Sequence, residues 1–216
     1  MWSGWYIGGN IGGSFGIASD SATLAGVPVG GGSPRLDGVV GGGQIGYNWQ
    51  ANAWVFGLEA DIQGTSEDGS NSAGATVIIP GAPAATGTLN YGEKLPWFGT
   101  VRGRLGFLPA PNWLIYGTGG LAYGEVDTNT TLTSGALGVS NNFDTTRVGW
   151  TAGGGVETFL SRNWSAKVEY LYVDLGSFSN TFTGLGTFTP ATLSTHVTDN
   201  IVRAGLNYHF GGPSGY

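Results

Sequence analysis

Strict alternation of apolar and polar residues recurs in eight segments of the chain, about 4–16, 38–49, 54–65, 94–107, 113–126, 147–160, 164–176 and 198–210. A period of two marks a β-strand with two unlike faces. Each segment is long enough to cross a bilayer, because a tilted spanning strand needs roughly 9–11 residues whereas strands of water-soluble domains average about 5–6. The connections alternate too. Gln50 to Ala53, Leu108 to Asn112 and Ser161 to Asn163 are tight, while 17–37, 66–93, 127–146 and 177–197 are long. Tight turns on one rim and long loops on the other are the pattern of a bacterial outer-membrane barrel. The expectation is therefore an all-β chain, residues 1–216 forming one eight-stranded antiparallel up-and-down transmembrane barrel. Its short turns would be periplasmic and its four long loops extracellular, mobile and exposed to water.

The other architectures fit less well. With 42 glycines and only 10% charged residues the chain lacks helix-forming stretches, and it has no apolar run of the length of a spanning helix. High glycine content also suits low-complexity disorder, but disorder has no periodicity of two. The strand-like start predicts a mature form without a leader. Absence of cysteine is compatible with an oxidising compartment. The net charge of −6 argues against nucleic acid as a partner, because phosphate binding needs clustered Lys and Arg.

Each tight turn is followed by Trp, in Ala53-Trp54, Asn112-Trp113 and Asn163-Trp164. Tryptophan favours the interface, where its ring meets acyl chains and its N–H meets head groups. Trp2, Trp5 and Trp49 fall at the same rim with Phe107 and Phe210; Trp97 and Trp150 fall near the loop end with Phe15 and Tyr123. The expected girdle residues are thus Trp5, Trp49, Trp54, Trp97, Trp113, Trp150 and Trp164, with Trp2 beside them.

In the third segment Trp54, Phe56, Leu58, Ala60 and Ile62 share one face, and Val55, Gly57, Glu59, Asp61 and Gln63 the other. A soluble calyx would turn the apolar face inward, whereas a membrane barrel turns it to lipid. Span length, Trp placement and charges confined to one mid-strand face favour lipid. The expected lumen cluster is then Glu59, Asp61, Glu157 and Glu169 against Arg102, Arg104, Lys167 and Arg203, a balance of four and four. Gln44, Gln63 and Asn207 fill the space between. On this reading Leu58→Arg impairs insertion, and Gly57→Ser is much milder. Ten acids remain for the loop end, Asp20, Asp37, Glu67, Asp68, Glu93, Glu125, Asp127, Asp144, Asp174 and Asp199, with Arg35, Lys94 and Arg147. Any electrostatic partner is sought there.

Catalytic and cofactor chemistry is not signalled. The run Gly41-Gly42-Gly43-Gln44-Ile45-Gly46 fits a dinucleotide fingerprint in letters alone, since that fingerprint needs a following helix. His196 and His209 are the two histidines, too few for an ordinary zinc site. Ser194, His196 and Asp199 lie near one another in sequence, with no motif around Ser194 that positions a nucleophile. His209 reads as a polar lumen residue. The expectation is a chain without enzymatic activity, cofactor or metal.

Four strings carry a resemblance: Trp97-Phe98-Gly99-Thr100-Val101-Arg102-Gly103-Arg104-Leu105-Gly106; Tyr116-Gly117-Thr118-Gly119-Gly120-Leu121-Ala122-Tyr123-Gly124; Asn163-Trp164 with Glu169-Tyr170-Leu171-Tyr172-Val173-Asp174-Leu175-Gly176; and Val202-Arg203-Ala204-Gly205-Leu206-Asn207-Tyr208. In order and spacing, from Trp5 to Phe210, the chain resembles the outer-membrane immunogenic protein family of alphaproteobacteria, the porin-like outer-membrane β-barrel proteins. The resemblance implies a surface antigen in the Gram-negative outer membrane, associated with lipid and lipopolysaccharide, with haemin binding in some members. It also implies that Tyr208 and Phe210 form the C-terminal signal read by the barrel assembly machinery. Here the chain continues through Gly211 to Tyr216, a departure from the usual terminal Phe. The expected role is structural, with surface interaction through acidic loops. The alternatives are a narrow diffusion pore and a loop site for haemin or a protein partner, for which Phe143, Phe178, Phe182 and Phe188 are the loop aromatics.

Overall fold

In the computed structural model the described residues are 2–24, 27–32, 35–77, 85–134, 137–182 and 191–210. They form nine strands: β1 Gly4–Leu24, β2 Val27–Gly32, β3 Arg35–Ala51, β4 Trp54–Val77, β5 Ala85–Ala110, β6 Trp113–Ser134, β7 Leu137–Phe159, β8 Trp164–Phe182 and β9 Ala191–His209. All pairings are antiparallel. The order is β1-β3-β4-β5-β6-β7-β8-β9, and β9 pairs back onto β1 from Tyr6↔His209 to Leu24↔Ala191, closing an eight-stranded barrel. Strand β2 is an addition to the far end of β1, between Asp20↔Gly32 and Leu24↔Val27. Closure matters physically, because an open edge would leave backbone donors and acceptors unpaired in hydrocarbon.

The pleat separates the faces as the alternation requires. Leu58 is 56% exposed and its neighbour Glu59 1%. Trp54, Phe56 and Ile62 stand outward with Leu58, while Val55, Asp61 and Gln63 are buried within the barrel. The short-turn rim is tight. Asn52 takes φ 55° in the two-residue turn between β3 and β4, a left-handed conformation that Asn tolerates better than most residues.

The loop side departs from expectation. Residues read as long connections are largely strand, since β4 runs to Val77, β5 starts at Ala85, β6 runs to Ser134 and β7 starts at Leu137. The hairpin tips lie outside the described residues. These extensions do not continue the barrel. The β7–β8 ladder ends at Trp150↔Asp174 and the β3–β4 ladder at Val40↔Thr65. Beyond those levels the wall divides into two antiparallel sheets, β4-β5-β6-β7 and β8-β9-β1-β2. Register shifts mark the division, at Gly64/Glu67 in β4, Lys94/Trp97 in β5 and Asp174/Ser177 in β8. An extra residue raises local twist and turns a strand away from its neighbour. At Gly176 the φ is +77° and its N–H donates to Asp174 Oδ1 at 2.8 Å.

Candidate functional site

The barrel interior stacks three layers. At the short-turn end an apolar layer comprises Trp2, Val55, Leu114 and Tyr116, with Leu108 and Phe159 packed against it. Trp2 was expected at the rim girdle; instead it is 1% exposed, its ring 4.4 Å from that of Phe159. Its indole N–H donates to Pro111 O at 3.1 Å and its backbone N–H to Gln50 Oε1 at 2.8 Å. The residue precedes β1, so the alternation that sorts strand residues does not apply to it, and a satisfied indole can be buried at no hydrogen-bonding loss.

The middle layer brings together all eight charged residues expected in the lumen, from β4, β5, β7, β8 and β9. Arg102 Nη2 donates to Glu59 Oε1 and, at 2.7 Å, to Asp61 Oδ2, while Nη1 reaches Glu169 Oε1 at 3.1 Å. Arg203 lies 2.6 Å from Glu169 Oε2 and 2.9 Å from Asp61 Oδ2. Lys167 Nζ donates to both oxygens of Glu59 at 3.1 Å. Arg104 pairs with Glu157 Oε2 at 2.7 Å and lies over the Tyr116 ring at 4.0 Å. Sequence reasoning did not single out the two tyrosines. Tyr6 O–H donates to Glu59 Oε2 at 2.7 Å, and Tyr116 O–H to Glu169 Oε1 at 3.0 Å. Gln44, Asn207 and Asn10 extend the set: Asn10 donates to Gln44 Oε1 at 2.9 Å, Gln44 to Asn207 Oδ1 at 2.5 Å and Asn207 to Glu157 Oε1 at 2.7 Å.

Toward the loops the third layer is mainly apolar: Val40, Leu95, Phe98, Ala122, Val126, Leu171, Val173, Leu175, Val197 and Ile201 are buried together, with Asp199 among them. A cavity of about 10 Å³ remains beside Phe98 and Ile201, at or below the space one water needs. Asp199, expected among the exposed loop acids, points inward here and is 3% exposed. An odd position on β9 shares the face of Ile201 and Arg203, and pleat outranks loop proximity.

The serine–histidine groupings have unlike surroundings. His209 is buried in the lumen with Nε2 2.9 Å from Ser165 Oγ and 3.5 Å from Glu157 Oε1, so serine and carboxylate meet the same ring nitrogen, unlike a triad. Ser194, His196 and Asp199 are not brought together. Ser194 bonds Ser179 at 2.7 Å, His196 Nδ1 bonds Ser177 at 2.7 Å on the outer face, and Asp199 is inside.

On the outer face Trp5, Trp49, Trp54, Trp113, Trp150 and Trp164 are about half exposed. Trp97 is half-buried, its indole N–H donating to Glu125 Oε2 at 2.7 Å. Aromatic neighbours accompany them, with Trp54 against Phe107 at 5.5 Å, Trp164 against Tyr208 at 5.3 Å, Tyr208 against Phe210 at 5.4 Å and Trp150 against Tyr172 at 5.3 Å. Between the two aromatic levels stand Ile7, Ile11, Ile45, Leu58, Val101, Leu121, Val168 and Leu206, all largely exposed. In water such a belt would be an aggregation surface; in lipid it is a solvated one. Phe143, Phe178, Phe182 and Phe188 lie outside the residues whose side chains are described.

Known proteins agree with this architecture. The chain is 43% identical over 174 residues to the 31 kDa outer-membrane immunogenic protein of Brucella melitensis, covering 80% of this chain and 67% of that protein. It is 27% identical over 209 residues to the 25 kDa outer-membrane immunogenic protein of Brucella abortus, covering 97% and 79%. Among solved structures it is similar to the outer membrane protease OmpT from Escherichia coli, with TM-score 0.59 and 11% identity over 97% of this chain and 98% of that one, a likeness of fold alone. The apolar outer belt, the closed ladder and these relatives place the protein in the outer membrane, and the model of the outer membrane protein beta-barrel domain matches residues 1–210: the chain belongs to that family.

Proposed function

We propose that the protein is a non-enzymatic structural and surface-interaction component of the outer membrane, with a lumen shut by its own side chains. The observation that carries this reading is the stack of layers. An eight-stranded barrel has an interior just wide enough for side chains. Here a charged layer whose eight ionic groups neutralise one another lies between two apolar ones. An ion crossing the barrel would meet apolar packing twice and would have to displace paired charges between them. The name shared by the Brucella relatives, outer-membrane immunogenic protein, supports exposure at the cell surface. In this reading the Trp girdles hold the barrel at the two interfaces, and Tyr208 with Phe210 serves recognition by the assembly machinery.

Planar-bilayer recording of the purified protein tests the closed lumen. The expected result is a bilayer at baseline conductance. A steady open level that scales with the number of inserted barrels would replace this reading with a narrow diffusion pore.

A further inference from the structure

The two sheets that rise above the barrel leave strand edges on either side. One cleft lies between β7 and β8. Among the described residues no pair joins 137–149 of β7 to 175–182 of β8, although both segments are strands bonded on their other side, to β6 and β9. The other lies between β2 and β4, which approach one another but share no ladder pair among the described residues. An unpaired edge is a row of backbone N–H and C=O groups that templates another strand, and proteins ordinarily blunt such edges with proline or charge.

The two clefts differ in this respect. Strand β2 carries Pro28, and β4 enters its extension with Glu67 and Asp68. The segment 175–182, Leu-Gly-Ser-Phe-Ser-Asn-Thr-Phe, has neither proline nor charge, and 137–149 has no proline and one charge of each sign, Asp144 and Arg147. The register shift at Asp174/Ser177, with Gly176 inside it, falls where the β7–β8 ladder ends. Below it Gly149 lies so close to β8 that a Cβ there would meet Asp174 O at 1.8 Å; above it β8 follows β9 instead.

We propose that the β7/β8 cleft is a strand-accepting site for an extended segment, without net charge, of a partner polypeptide outside the cell. The segment would pair antiparallel with the free edge of β8, taking its affinity from main-chain hydrogen bonds and its selectivity from the absence of charge on the edge. This rests on the surface-interaction part of the proposed function. Its failure leaves the closed lumen, read by conductance, untouched.

The probe is a synthetic peptide with blocked ends that copies residues 137–149, the sequence that continues the native β7–β8 ladder. Backbone amide exchange is followed on the full chain in detergent micelles, with and without peptide. Amides of 175–182 that do not face β9 are expected to exchange quickly in the free protein and to slow by about tenfold or more once peptide pairs with them. Ser179→Lys and Thr146→Lys, both at exposed positions of the cleft, are expected to weaken peptide binding by about tenfold, as edge lysines do in natural sheets. Closed conductance should stay as in the parent for both, and the melting temperature for Thr146→Lys, since Ser179→Lys also removes the hydrogen bond to Ser194. Peptide that leaves the 175–182 amides unchanged, or binding indifferent to both lysines, overturns the proposal. So does slowing of the same amides when protein concentration alone is raised, which would assign the cleft to a second copy of the chain.

Discussion

Arg102 meets three carboxylates at once, Glu59, Asp61 and Glu169, and this sharing sets what a substitution there costs. Arg102→Ala leaves buried acids with fewer cations, a loss of about 3–5 kcal/mol where water cannot enter. Adding Glu59→Gln should recover part of that loss, because the double variant removes one of the stranded charges. Complete recovery is not expected, since Asp61 and Glu169 keep their deficit. Denaturant unfolding of the two single variants and the double in one detergent measures the coupling; additive losses would mean that the two side chains do not interact. The membership of this cluster was legible in sequence because the pleat alone decides which side a residue faces. The pairing was not, since Arg102 and Glu169 stand 67 positions apart and meet only through the way the barrel closes. Tyr6 and Tyr116 were missed for a related reason: an inward tyrosine on an alternating strand carries no signal for what its hydroxyl reaches.

At the scale of the strand, the outward row of β4 should report the lipid directly. Leu58→Arg is expected to cost about 2–4 kcal/mol, the range for a cation on the lipid face at mid-membrane, and to lower the refolding yield into vesicles. Gly57→Ser, which alternation alone suggests is mild, brings a Cβ within 2.3 Å of Asn48 Oδ1, the end of a buried side chain that must turn aside to admit it. The milder inward control is Thr118→Ser, which keeps the hydroxyl donating to Gly103 O at 2.9 Å. A refolding yield less sensitive to Leu58→Arg than to Thr118→Ser would reverse inside and outside. The Gly176 bulge gives a second comparison. Gly176→Ala meets nothing within 4 Å and suffers only the left-handed backbone, about 1–2 kcal/mol. Gly149→Ala drives a Cβ against the Asp174 carbonyl and should cost more, because backbone cannot yield as a side chain can. Equal shifts in melting temperature for the two would contradict that ordering. Bulges and strand extensions escaped the sequence because these segments are rich in Ser, Thr, Asn and Gly, which lack the apolar contrast that makes alternation visible. Their strand geometry comes from continuing a hairpin already paired below.

For the molecule as a whole, the layers act in series, and the consequence is a pattern of conductance rather than a single sensitive position. Spans, connection lengths and Trp placement made the closed barrel legible from the sequence, but the two apolar layers were not, because their members are contributed by seven different strands and by Trp2 before the first. Trp2→Ala removes the ring packed on Phe159 at the short-turn end, and Phe98→Ala opens the layer that now holds a cavity of about 10 Å³. Each should lower stability by about 3–5 kcal/mol. Neither should produce a steady open level in a planar bilayer, and neither should the pair, because the paired charges still span the middle of the lumen. A variant that also carries Arg102→Ser and Glu59→Ser shortens two crossing side chains while leaving no net change in lumen charge. That combination should be the first in the series to conduct. Current through Phe98→Ala alone would locate the whole barrier at the loop-side layer and leave the charged network a role in stability only.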